Sequence, residues 1–223
     1  MKKNKETTVL IGVPNGSGQF PAKMVSSLLQ LQKTVPCAFM VVERQMIEKA
    51  RNAIALEALK VGATHLLFVD DDNPIPPDTL TRLLEADKDV VIAPILGRNP
   101  NKDGIHPLCA FYSFEHEGVT LYKHIEEFRD KGPLHKIDAG GTGCMLIKRE
   151  VLEKMFVLYQ DRMFERTYEK LPKKIKVDGV EFEARSMSED CEFSERVVKA
   201  GFEIWLDDRV RPYHITEPKL IQY

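Results

Sequence analysis

Several familiar patterns are missing from this sequence, and each absence removes a class of function. No stretch approaches the roughly 20 consecutive apolar residues that a membrane-spanning helix needs. The polar residues 1–8 are followed by no signal-like apolar core, so a cytoplasmic protein is expected. Positive charge is not in excess: 32 Lys and Arg against 34 Asp and Glu give a net charge of −2, which supplies no field for binding nucleic acid. Cysteine is sparse. Cys37, Cys109, Cys144 and Cys191 form no C-x-x-C pair and have no histidine at zinc-finger spacing, so reduced and mostly buried thiols are expected. The loop Pro14-Asn15-Gly16-Ser17-Gly18 lacks the Lys-Ser/Thr of a phosphate-binding P-loop and the full G-x-G-x-x-G of a dinucleotide fold. No repeat and no low-complexity tract is visible.

What is present reads as one α/β domain over residues 1–223, with 43% hydrophobic and 30% charged residues and enough chain for a substantial core. Buried-strand patterns at 8–13, 37–42, 65–69 and 89–94 alternate with helical patterns at 24–31, 46–61 and after residue 78. That rhythm predicts a mainly parallel sheet with right-handed crossovers. The pattern is then broken from 96 to 136 by Pro100, Gly104, Pro107, Gly118 and Pro133, with a hairpin expected from 108–114 and 119–124 about a turn at 115–118. His106, His116, His124 and His135 lie in this region without metal-ligand spacing and are expected at the surface.

The most informative stretch is the run of apolar residues at 65–69 that ends in Asp70-Asp71-Asp72-Asn73-Pro74. Ligands of open α/β sheets bind beyond the carboxyl ends of the strands, where these acids emerge. Alternation along an extended chain would turn Asp70 and Asp72 to one side and Asp71 to the other. Acids this close repel unless a cation lies between them, and hard oxygen donors suit Mg2+ or Mn2+. A solvated acidic turn ahead of the helix that follows Pro76-Pro77-Asp78 is the alternative.

Other residues stand out less by themselves. Arg51 falls in the middle of the apolar face formed by Ile47, Ala50, Ile54, Ala58 and Val61, and needs either a structural carboxylate or a ligand anion as partner. Gly140, Gly141 and Gly143 flank Thr142 in a backbone that a ligand can approach closely. Residues 161–176 carry six Lys/Arg against three acids and read as a mobile loop, either a lid over an anionic donor or a solvated connector. Ser188 is a plausible cap for a helix that ends at Gly201, with Glu189 and Asp190 in its first turn, where acids also simply complement the helix dipole.

Together these stretches resemble the GT-A fold of nucleotide-sugar glycosyltransferases, and more closely the inverting family 2. Ala50-Arg51-Asn52 is similar to that family's A-R-N helix motif, and Phe68-Val69-Asp70-Asp71-Asp72 to its strand ending in D-x-D. Gly140 to Ile147 resembles its glycine-rich acceptor-side strand, and Ser188-Glu189-Asp190 with Ala200-Gly201-Phe202 its E-D helix. The resemblance runs from Val9 to His214. It implies a nucleotide-binding half over about 8–95 and an acceptor-side half, with a small antiparallel extension, over about 96–216. Pro14, Asn15 and Glu43 would border the base and ribose. Arg51, Asp70 and Asp71 would serve the nucleotide, and Gly141, Thr142 and Gly143 the acceptor side. Asp72 and His214 would hold Mn2+ or Mg2+, and Asp190 would be the catalytic base with Glu189 as its rival. The donor would be a UDP-sugar or, because Glu43-Arg44-Gln45 replaces the family's usual aspartate-rich turn, a GDP-sugar; the acceptor would be a glycan or another hydroxyl compound. A sugar-phosphate nucleotidyltransferase and a non-catalytic nucleotide-sugar-binding module are the rival expectations.

Overall fold

The computed structural model describes residues 6–177 and 180–215. The chain runs β1 (Val9–Asn15), α1 (Ala22–Gln30), β2 (Cys37–Glu43), α2 (Ile47–Lys60), β3 (His65–Val69), α3 (Thr79–Glu85) and β4 (Val90–Ile92). It continues through β5 (Ala110–His116), β6 (Val119–His124), β7 (Leu134–Ile137), β8 (Ala139–Gly140), β9 (Cys144–Lys148) and α4 (Arg149–Tyr159). The hairpin β10 (Tyr168–Val177) and β11 (Val180–Ser186), α5 (Glu189–Lys199) and β12 (Ile204–Asp207) complete it.

The main sheet has seven strands in the order β2-β1-β3-β9-β4-β12-β7. β2, β1, β3, β4 and β12 run one way, whereas β9 lies antiparallel between β3 and β4, and β7 is antiparallel to β12. The sheet is therefore mainly parallel, as the sequence rhythm predicts. Strand side chains alternate between two cores. Leu10, Leu66 and Phe68 pack with α2, α4 and α5 on one face, while Val9, Ile11, Leu67 and Val69 pack with Met24 of α1 and Leu80 and Leu83 of α3 on the other. Burial on both faces is why β3 reads as an unbroken apolar run. Its last four residues are fully buried. A small sheet, β6-β5-β8, makes the antiparallel extension.

The inverted direction of β9 positions the site. Its start, not its end, lies at the sheet edge where β1, β3 and β4 finish, so the glycines before it arrive beside the acids after β3. The backbone closes this edge on both sides of β9: Asp70 N–H donates to Gly143 O at 2.9 Å and Ala93 N–H to Cys144 O at 3.0 Å. A right-handed crossover alone would not bring these loops together; the reversed strand does.

Local expectations are corrected in several places. β1 extends to Asn15, so Pro14 and Asn15 are strand residues paired in register with Val42 and Glu43. The β5–β6 hairpin turns tightly on Glu117 and Gly118, both at positive φ (50° and 79°), the geometry that matches strand twist in two-residue hairpins. Only part of 161–176 is a loop: a 3-10 turn at Gln160–Arg162 and an irregular stretch over 163–167 lead into β10, which pairs with β11. Lys170, Lys173, Lys174 and Lys176 belong to this strand outside the main sheet, a position that does not demand an apolar run. His106 and His124 are exposed, but His135 is buried on β7, stacked on Phe128 with ring centroids 3.7 Å apart and with Nε2 3.4 Å from Asp208. Alternation on β7 turns it inward while Lys136 faces out. All four cysteines are free, with Cys144 and Cys191 buried and the other two half-buried. Among the described residues no helix is long and apolar enough to cross a membrane.

α2 lies close on β1 because Gly12 leaves room for Ile54: a Cβ at Gly12 would come 2.2 Å from Ile54 Cγ2. The Ile54 methyl branches directly from Cβ and cannot swing aside. Gly12→Ala is expected to lower the free energy of unfolding by about 1–3 kcal/mol in urea titrations, the usual cost of overpacking; an unchanged midpoint would show that α2 can shift freely.

Candidate active site

A cleft of about 330 Å³ opens at the edge where β1, β3 and β4 end, and it is lined by Pro14, all three aspartates, Thr142, Asp190 and His214 among others. β3 stops at Val69 and the chain turns, Asn73 N–H donating to Asp70 O at 3.1 Å. The strand alternation expected of the acids therefore ends before it reaches them. Asp70 and Asp72 acquire different partners, while all three still line the same cleft.

Asp70 faces Arg51. The guanidinium lies 3.0 Å from Oδ1 and is itself buried, with its side chain 3% exposed. On its other side its Nε is 3.5 Å from Glu189, which Arg166 also reaches at 3.1 Å. The chain Asp70–Arg51–Glu189–Arg166 thus joins the end of β3, the inner face of α2, the start of α5 and the approach to β10. Burial raises the Asp70 pKa, Arg51 opposes that, and Asp72 adds to it. Arg51 meets two carboxylates of its own chain, although among the described residues its buried Nη1 has no hydrogen-bond partner, and it does not line the cleft.

Asp71 is pushed up to about 6, first by burial and then by Asp72 and Asp70, with Arg98 opposing. Gly143 makes the crowding possible. A Cβ there would lie 2.3 Å from Asn73 Oδ1 and 3.2 Å from Asp70 Oδ2.

Asp72 meets His214, whose Nε2 is 3.3 Å from Oδ2. His214 Nδ1–H donates to Leu96 O at 2.6 Å, which fixes the tautomer and leaves Nε2 as a hydrogen-bond acceptor. The segment that carries it is tied down: Ile215 N–H donates to Asp72 O at 2.8 Å and Tyr213 N–H to Pro74 O at 2.9 Å. The Arg98 guanidinium bridges both groups, bonded to Asp72 and, through Nε–H, to His214 Nε2 at 3.0 Å. Among the described residues no three His, Cys, Asp or Glu side chains form a metal cage. Asp72 and His214 nevertheless suit a hard divalent ion that keeps waters and takes phosphate oxygens, since their donor atoms converge on a point already holding positive charge.

Asp190 and Glu189 diverge although they are neighbours. Glu189 is buried against Arg51, whereas Asp190 lines the cleft. Its Oδ1 accepts from Ser188 Oγ and, at 2.9 Å, from Cys191 N–H, and its Oδ2 lies 3.7 Å from where a Gly141 Cβ would be. Thr142 lines the cleft with a buried Oγ1 that has no hydrogen-bond partner among the described residues. Cys109 is also there, but burial, then Asp190 and Asp70, push its thiol up to about 11, so it is no nucleophile at neutral pH. Asn15 is fully buried, and its side chain organises its own loop, accepting from Gly18 N–H at 2.7 Å and donating to Gln19 O at 3.2 Å. Glu43 is exposed at the end of β2, beside Asn15 in register. Arg98 escaped the sequence reading because it is an isolated arginine in a segment without a motif, and Arg166 was read only as part of the basic stretch 161–176.

Neither a protein-family model nor a curated protein sequence matches the chain, so similarity is carried by structure. The crystal structure of A197 from STIV matches with a TM-score of 0.55 and 16% identity, over 95% of this chain and 87% of that one. That of GalNAc-T7 with UDP, GalNAc and Mn2+ matches with a TM-score of 0.53 and 13% identity, over 97% of this chain but 45% of that one. That of S. aureus TarS 1-349 in complex with UDP-GlcNAc gives 0.52 and 12% identity, over 97% of this chain and 61% of that one. The chain thus spans less than two thirds of the latter two. Likeness at such identities defines architecture, and the architecture is the GT-A fold of nucleotide-sugar glycosyltransferases.

The acid cluster makes stability depend on pH. A carboxyl whose folded pKa exceeds its unfolded value binds more protons when folded, so its contribution is full below about pH 4 and is lost as pH rises through about 6. In EDTA, Asp71→Asn should therefore be more stable than wild type above about pH 6 and lose less stability between about pH 4 and 7. Parallel wild-type and mutant curves in pH-dependent urea unfolding would contradict this.

Proposed function

We propose that the cleft binds a nucleotide-diphosphate sugar with Mn2+ or Mg2+ and transfers the sugar to an acceptor hydroxyl, inverting the anomeric centre. One observation carries this reading: the Asp72–His214 pair and the Asp190 carboxylate line the same cleft, with Gly141, Thr142 and Gly143 forming part of its wall. Asp72 and His214 would hold the cation, which supplies a countercharge for the leaving diphosphate. Pro14 at the end of β1 and Glu43 beside it would border the base and ribose, with Asp70 and Asp71 on the nucleotide side. Asn15 acts indirectly, by shaping the loop that follows β1. Arg51 is likewise a positioning residue, because its guanidinium fixes Asp70 without reaching the cleft.

Asp190 takes the proton. The acceptor oxygen attacks the anomeric carbon from the face opposite the diphosphate, its hydrogen passes to Asp190 Oδ2, and the bond from carbon to the diphosphate oxygen breaks with its electron pair. Glu189 is a poor candidate for this role, being buried and engaged by Arg51 and Arg166. The unpaired Oγ1 of Thr142 is suited to orient the acceptor through a hydrogen bond. A UDP-sugar is favoured over a GDP-sugar because two of the solved neighbours were crystallised with UDP or UDP-GlcNAc.

Asp190→Asn should keep UDP-sugar affinity within about twofold and lower transfer by about 10²–10⁴-fold. Normal turnover by the mutant would remove Asp190 from the mechanism. Release of pyrophosphate from a nucleoside triphosphate by the wild type would point instead to a nucleotidyltransferase, and donor binding without any turnover to a binding module.

A further inference from the structure

The segment after β4 treats His214 in two opposed ways. Leu96 O accepts its Nδ1–H at 2.6 Å and so leaves Nε2 as an acceptor, 3.3 Å from the Asp72 carboxylate, which is how a histidine is prepared for a metal. Two residues later, Arg98 covers that acceptor with its own Nε–H at 3.0 Å and bonds the Asp72 carboxylate as well. A guanidinium only donates, so it satisfies both acceptors as a cation would. The side chain is 65% exposed, whereas Asp72 and His214 are 16% and 17% exposed. The arginine thus reaches from solvent into a more enclosed pair and can withdraw without disturbing the core. Gly97 N–H, bonded to Pro107 O at 2.7 Å, ties down the backbone just before Arg98.

We propose that Arg98 is an exchangeable internal counter-ion that holds Asp72 and His214 until a divalent cation displaces it, making cation entry competitive with this arginine. The inference rests on the reading of Asp72 and His214 as cation ligands. It adds that the chain stabilises the two ligands in the cation-free state, at the expense of affinity for the cation alone. Once released, Arg98 remains at the cleft, free to pair with anionic oxygens of a bound diphosphate.

The test is titration of the full chain with Mn2+, followed by electron paramagnetic resonance of the free ion, for wild type, Arg98→Gln, Asp72→Ala and the double variant, with circular dichroism confirming that each is folded. Removing a partly exposed ion pair that the cation must break should tighten Mn2+ binding by roughly two- to fivefold in Arg98→Gln. Asp72→Ala should abolish that binding in either background. Equal or weaker Mn2+ binding by Arg98→Gln, with Asp72 still required, would overturn the exchange and leave the cation site standing. Mn2+ binding indifferent to Asp72 in every variant would remove the site itself and the exchange with it.

Discussion

The organisation of the site depends on one buried cation. Arg51, enclosed on the inner face of α2, holds Asp70 at the end of β3 and Glu189 at the start of α5. The guanidinium is 3% and Glu189 8% exposed, and neither charge could be taken from water at this depth without a partner. Joining the two carboxylates fixes the distance between the two halves of the cleft. It also decides the direction of the next residue: with Glu189 drawn inward to Arg51, Asp190 is left on the cleft side of the helix terminus. A structural ion cluster thereby selects which of two adjacent acids is available for chemistry.

The reversed strand completes the arrangement. Were β9 parallel to its neighbours, its glycine-rich approach would lie at the opposite edge of the sheet. Antiparallel insertion between β3 and β4 brings Gly141, Thr142 and Gly143 to the acids, and the missing side chain at Gly143 admits Asn73 and Asp70. Three acids in such a small volume cannot all ionise cheaply. Burial, with Asp72 and Asp70 adding to it, pushes Asp71 up to about 6, and Asp72 takes positive charge from Arg98.

Much of this was legible from local patterns. The apolar run of β3, the helix with Arg51 on its buried face and the acid-tipped α5 follow from periodicity and burial, and each occupies the position expected of it. Partner choice was not legible. Arg51 could satisfy either a ligand or a carboxylate by sequence, and only the tertiary approach of α5 to α2 identifies Asp70 and Glu189. Arg98 belongs to a segment where proline and glycine erase periodicity, so nothing in its neighbourhood pointed to a histidine 116 positions away. His135 was misread for a related reason: a short strand in a broken region hides its alternation. Asn15 showed the opposite failure, a polar residue in a glycine-rich loop whose side chain is consumed by the loop itself.

The central claim is that Asp72 and His214 form a cation site that acts together with a nucleoside diphosphate. Thermal unfolding of wild type and Asp72→Ala with UDP, Mn2+ and both together tests it most directly, since a ligand bound only by the native state raises stability by mass action. The account predicts that UDP with Mn2+ raises the wild-type Tm by more than the two separate shifts added, and that the excess disappears in Asp72→Ala. A UDP shift indifferent to Mn2+, or an excess that survives in Asp72→Ala, would contradict it.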